Sequence, residues 1–131
     1  MTKTSMIQNK SFGQELLIDL YNCEASLVNN LDFNYKVLDE LVDILKMQKQ
    51  APPFLFYSPV EFPDKAGLSG WVPLIESGIQ LHTLTAKNFV SIDIYTCGNL
   101  VINDVLSYLK KKYQAREVEH KFFLRGEKYY E

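Results

Sequence analysis

The stretch PLIESGIQLHTLTAKNFVSIDIYTCG, residues 73–98, decides how this chain is read. Glu76-Ser77-Gly78 is a turn signal. After it, Ile79, Leu81 and Thr83 alternate with Gln80, His82 and Leu84. In the next run Val90, Ile92 and Ile94 alternate with Phe89, Ser91, Asp93 and Tyr95, and Cys97 closes the run against Gly98. A period of two is the mark of strands with one face buried and one open. The window is therefore read as strands joined by tight turns, with a Ser, a His and a Cys spaced along them.

Outward from this window the pattern changes twice to a helical period. Residues 32–50 place Leu38, Leu41, Val42 and Leu45 on one stripe, with Asp32 or Asn34 as cap and Pro52-Pro53 as stop. Residues 102–113 do the same with Val105, Leu106 and Leu109, and Asn103 as cap. Residues 15–23, 54–62, 68–75 and 116–126 read as further strands. Pro73 within the 68–75 run points to an edge or a bulge. The order β, α, several strands, α, β predicts a two-layer α+β domain covering residues 1–131, with an antiparallel or mixed sheet and both helices on one face.

Composition narrows the function classes. The 131 residues are 47% hydrophobic and 23% charged, with a net charge of −2. That balance gives no footprint for nucleic acid, and Lys110–Lys112 is a single wet helical turn. No apolar run approaches the roughly 20 residues that span a bilayer. The first dozen residues lack the apolar middle of a leader peptide, which predicts a cytoplasmic protein with Cys23 and Cys97 reduced. Two cysteines and two histidines at these spacings do not make a metal site.

The segment GLSGWVPLIESGIQLHTLTAKNFVSIDIYTCG, residues 67–98, resembles the core of the short prokaryotic form of S-adenosylmethionine decarboxylase, a pyruvoyl-dependent family. The spacing from Ser69 through Ser77 and His82 to Cys97 carries the resemblance, and SFGQELLIDLYNC and EVEHKFFLRGEKY extend it to the first and last strands. The resemblance implies a proenzyme that cuts itself between Glu76 and Ser77, leaving a covalent pyruvoyl group in place of Ser77. It also implies His82 and Ser69 for processing, Cys97 as proton donor, no metal, a small-molecule substrate and a homodimer of cleaved protomers. The chemistry suits these residue types. A serine hydroxyl reaches the preceding carbonyl through a five-membered ring, and an ester results. Loss of the residue-77 Cα proton then expels the Glu76 carboxylate, a step that needs a base.

Three motifs depart from the family pattern. Glu-Ser-Gly stands for Glu-Ser-His, HTLTA for His-Thr-Trp-Pro-Glu, and GQE for Gly-Arg-His. Leu84 and Ala86 thus replace a ring and a carboxylate that lie near substrate in the family. Phe62 is the expected aromatic face for adenine or sulfonium, and Glu15 or Glu61 an expected carboxylate. Three functions stay open: decarboxylation of S-adenosylmethionine for spermidine synthesis, decarboxylation of arginine or ornithine on the same scaffold, and a non-catalytic partner subunit.

Overall fold

The computed structural model of the chain describes residues 11–131. The leader-peptide reading above lies, through residue 10, outside the described residues. The strands are β1 (Gly13–Tyr21), β2 (Phe54–Tyr57), β3 (Leu68–Leu74), β4 (Ser77–Leu84), β5 (Phe89–Thr96) and β6 (Glu117–Arg125). They form a six-stranded sheet of order β2-β3-β4-β5-β1-β6, and every pairing is antiparallel. The helices are the short α1 (Ala25–Val28) and the longer α2 (Leu31–Ile44) and α3 (Ile102–Tyr113).

Alternation along the strands separates the two faces. Leu16, Ile18, Leu20, Val72, Ile79, Leu81, Val90, Ile92 and Ile94 are buried in one core with Val37, Leu38, Leu41 and Val42 of α2 and Val105, Leu109 and Tyr113 of α3. The helices thus cover one side of the sheet. The other side carries Ser69, Trp71, Gln80, His82, Asp93, Tyr95 and Glu15, half-buried or exposed. Gly70 lets α2 come close to β3, since a Cβ there would stand 3.0 Å from Leu38 Cδ1.

Local details correct four expectations. The α2 cap is Asn30, whose side chain accepts the Phe33 N–H at 2.9 Å, not Asp32 or Asn34. Its end precedes the prolines. Lys46 adopts a left-handed conformation (φ 57°), with Lys46 N–H on Asp43 O and Met47 N–H on Val42 O. This pair of bonds closes a helix without glycine. The α3 cap is Val101, with no side-chain bond, so Asn103 lies inside the first turn. Pro73 sits on an interior strand, not an edge. Its carbonyl accepts the Gln50 N–H at 2.9 Å. N–H and C=O of a strand residue point the same way, so the missing donor of Pro73 faces segment 48–50, where only an isolated Lys49–Leu74 bridge forms.

Asn34 is fully buried. Its amide nitrogen donates to the carbonyls of Leu27 (3.0 Å) and Asn30 (2.8 Å), and its oxygen accepts from the Tyr113 hydroxyl. One side chain thus ties α1, α2 and α3. Burial leaves no water to replace these partners. Asn34→Ala is expected to cost about 2–4 kcal/mol of stability, measured by urea unfolding; a loss below about 0.5 kcal/mol would show that the network carries no weight.

Candidate active site

The β3–β4 hairpin pairs Leu74 with Ser77, so its loop is Ile75-Glu76 alone. Two neighbouring segments hold this loop. On one side Ile75 N–H donates to Gln48 O at 2.9 Å, and Gln48 N–H donates to Glu76 Oε1 at 3.3 Å. On the other side Cys97 N–H donates to the Glu76 carbonyl at 3.2 Å. The β4–β5 register produces this last contact, because Ser77 lies opposite Thr96 and Cys97 is the next residue. Thr96 Oγ1 in turn accepts the Gly98 N–H at 2.8 Å and fixes the bend after the strand.

The Ser77 hydroxyl is buried, and among the described residues it has no hydrogen-bond partner. A buried hydroxyl left unpaired has a standing cost of roughly 1–3 kcal/mol. It belongs to the residue whose preceding carbonyl already receives a backbone donor. A donor on a carbonyl oxygen stabilises the negative charge that develops when the carbon is attacked. The hairpin end therefore places an unpaired hydroxyl next to a carbonyl whose oxygen already receives a backbone donor. Cys97 itself is a free, exposed cysteine.

Ser69 and His82 stand opposite each other on the open face. The Ser69 hydroxyl lies 3.2 Å from His82 Nδ1, and the Gln80 amide nitrogen lies 3.0 Å from His82 Nε2. An amide nitrogen can only donate, so Nε2 accepts and Nδ1–H points at Ser69. The structure thus brings Ser69 to His82. It does not bring the pair to Ser77 within one chain. Five residues of β4 separate Ser77 from His82, roughly 16 Å of strand, and an odd separation turns the two side chains to opposite faces.

Two cavities open on the uncovered face. One, of about 270 Å3, lies beside the hairpin and is lined by Glu15, Trp71, Ser77, Gly78, Asp93 and Tyr95. The second, of about 420 Å3, is lined by Phe54, Phe56, Ser69, Trp71, Gln80 and His82. Glu15 is ion-paired with Arg125, whose guanidinium stands 4.9 Å from the Tyr95 ring centre. Burial, and next the charge of Glu15, push the Asp93 carboxyl above its ordinary range. Phe62 is exposed in the β2–β3 loop and lines neither cavity, and Glu61 is exposed beside it. Cys23 is buried away from this face, and burial pushes its thiol to about 11, which keeps it protonated. Sequence reading did not single out Trp71, Gln80, Asp93 or Gln48. The first two share the strand parity of Ser69 and His82, a signal available by counting back from the turn.

An antiparallel sheet with helices on one face defines the class as a two-layer α+β protein, with an unpaired serine hydroxyl at a clamped hairpin. Residues 14–126 match the family model described as S-adenosylmethionine decarboxylase, and the chain belongs to that family. It is 30% identical over 118 residues to the S-adenosylmethionine decarboxylase proenzyme of Clostridium botulinum, covering 89% of this chain and 97% of that one. The corresponding proenzyme of Acidithiobacillus ferrooxidans is 28% identical over 119 residues, 90% of this chain and 85% of that one. The crystal structure of the adenosylmethionine decarboxylase from Aquifex aeolicus shares the fold, with a TM-score of 0.75 at 21% identity over 88% of this chain and 92% of that one. Among the described residues no helix is long and apolar enough to cross a membrane.

The raised Asp93 carboxyl has a consequence for stability. Its ionisation is harder in the folded chain than in the unfolded one, so folding loses stability as pH rises from the ordinary aspartate value through the raised one. Asp93→Asn should therefore raise the melting temperature at pH 7, with the gain vanishing near pH 3. An equal gain at both pH values would refute the electrostatic cause.

Proposed function

We propose that this chain is a proenzyme that cuts itself between Glu76 and Ser77 and then decarboxylates S-adenosylmethionine, the step that supplies aminopropyl groups for spermidine. The observation that carries this reading is the buried, unpaired Ser77 hydroxyl next to a carbonyl held by Cys97 N–H. The hydroxyl attacks the Glu76 carbon, the Cys97 N–H stabilises the oxygen, and the peptide becomes an ester. A base then takes the residue-77 Cα proton and the Glu76 carboxylate leaves. An unpaired polar atom at a clamped turn fits a residue whose dehydroalanine, left by that elimination, takes up water and releases ammonia to give a pyruvoyl group. Such a ketone, joined to the substrate amine, draws in the electron pair freed when CO2 departs. The Cys97 side chain, carried on the same bend as the N–H that holds Glu76 O, is the proton donor to the product carbon. Both cysteines are free, in keeping with a cytoplasmic setting.

The base is His82, oriented by Ser69 and Gln80, and it acts on a second copy of the chain. Within one chain it lies too far from Ser77 and on the other face. The open face bears the exposed aromatics Phe54, Phe56, Trp71 and Phe123, a surface suited to burial in a homodimer. A second reading, decarboxylation of arginine or ornithine, draws support from Glu15 and Asp93 beside Ser77, which suit a basic side chain.

Denaturing mass spectrometry should resolve purified protein into two fragments divided at residue 76. Ser77→Ala should give one uncut chain of 15.2 kDa with no CO2 release. An uncut wild-type chain would support the non-catalytic alternative instead. CO2 release from carboxyl-labelled S-adenosylmethionine, arginine and ornithine then decides the substrate, with the first expected and activity on arginine or ornithine alone overturning it. His82→Ala chains should be cut only when co-produced with Ser77→Ala chains, which supply the missing imidazole; a monomer in light scattering, or no rescue, would refute action between copies.

A further inference from the structure

The two edges of the sheet are built differently. The β2 edge is four residues long, with Pro52-Pro53 before it and Pro59 after it. Shortness and proline both keep an edge from pairing with another chain. β6 forms the other edge, because it pairs with β1 alone. It is nine residues long and contains no proline. Its register with β1 runs without a bulge from Gly13–Arg125 to Tyr21–Glu117. Among the described residues no strand pairs with its outer side. Such an edge presents a row of unpaired N–H and C=O groups to any strand that can match it.

The side chains of β6 decide what can match it. Val118, His120, Phe122 and Leu124 share the face of Leu16, Ile18 and Leu20, the helix side. Val118 packs against the core, but Phe122 and Leu124 remain 40% and 41% exposed. Glu119 and Lys121 point to the other side, at the border of the open face. The Tyr21 hydroxyl donates to Glu119 at 2.5 Å and orients its carboxylate. Lys121 has no carboxylate within ion-pair distance among the described residues.

We infer that the β6 edge is a self-association site whose partner is the β6 edge of a second copy, antiparallel about a two-fold axis. Opposed residues in such a pair share a face, so only positions of equal parity can be opposed. Registers centred on residues 120, 121 and 122 keep most of the strand paired. Centring on Lys121 sets that lysine against its own copy. Centring on Phe122 opposes Glu119 to Arg125, which is already ion-paired with Glu15. Centring on His120 opposes Glu119 to Lys121 twice and Val118 to Phe122 twice. Opposite charges and apolar pairs stabilise facing strands, and like charges do the reverse. The charge pattern therefore selects the register centred on His120. The contact is the same patch on both copies, so it closes with two and does not propagate. It runs along the edge of the sheet and leaves the open face available. It rests on neither the open-face pairing nor the decarboxylase reading.

Single cysteines read the register. With the exposed Cys97 replaced by Ser, His120→Cys should oxidise to a reducible covalent dimer. Directly opposed Cα atoms stand about 4.5–5.5 Å apart, within disulfide reach. Phe122→Cys in the same background should stay uncrosslinked. Charge variants read the contact in the otherwise unaltered chain. In sedimentation velocity Lys121→Glu should weaken self-association roughly tenfold or more, halving the mass at concentrations where the parent is assembled. The double variant Glu119→Lys/Lys121→Glu exchanges the two charges and should restore the parent's mass, which also shows that the strand still folds. Assembly of Lys121→Glu equal to the parent's, no recovery in the double variant, or a crosslink in Phe122→Cys but not in His120→Cys overturns the inference.

Discussion

The hydrogen bond from Cys97 N–H to the Glu76 carbonyl is the contact on which the site depends. It joins the end of β5 to the loop of the β3–β4 hairpin, and it exists only because β4 and β5 pair Ser77 with Thr96. Its net energy is small, about 1 kcal/mol for an ordinary backbone bond. Its placement matters more. The donor that completes the hairpin is also the donor that an attacked carbonyl needs. A one-residue slip of β4 would break the pairing and turn the core residues Ile79 and Leu81 to the open face. The hydrophobic core thus enforces the register, and the register sets the chemistry.

The same register sets a limit. Side chains on one strand share a face only at even separations. Ser77 and His82 are five apart, while Ser69 and His82 are directly opposed. Single-chain folding therefore builds two half-sites. One is the buried Ser77 hydroxyl beside the Cys97 N–H contact at the hairpin, and the other is the Ser69–His82–Gln80 chain further along the open face. Backbone adjustment within β4 cannot merge them, because β3 and β5 pair it along its whole length.

Much of this was legible in the sequence. Period-two alternation gave the strands, a helical stripe gave residues 102–113 with the observed bounds, and the resemblance named Ser69 and His82, which the sheet pairs. Other features depend on contacts that no local pattern carries. Asn30, Asp32 and Asn34 are all plausible caps by type. Which one caps is settled by α1 and Tyr113, whose groups claim Asn34 for the interior. Pro73 belongs to an interior strand but lies beyond its short neighbour β2, whose first residue Phe54 pairs with Trp71, so the edge that a proline signals is local. The clamps from Gln48 and Cys97 come from segments 28 and 21 residues away from Glu76, and no spacing rule announces them.

The departures from the family motif also become connected. Read in sequence, glycine at position 78 is a missing side chain and Trp71 is an ordinary strand aromatic. In the fold they are one feature, because the indole lies within 3.4 Å of where a Gly78 Cβ would stand. A large side chain at 78 and a tryptophan at 71 would compete for the same volume. Gly78 thus leaves room for the indole on β3, where Phe54 stacks on it. The groups clamped at the hairpin lie on the loop, on the first residue of β4 and just past β5. The aromatic pair lies on β2 and β3. Because the two sets share no side chain, the open face can change while the hairpin keeps its clamped geometry.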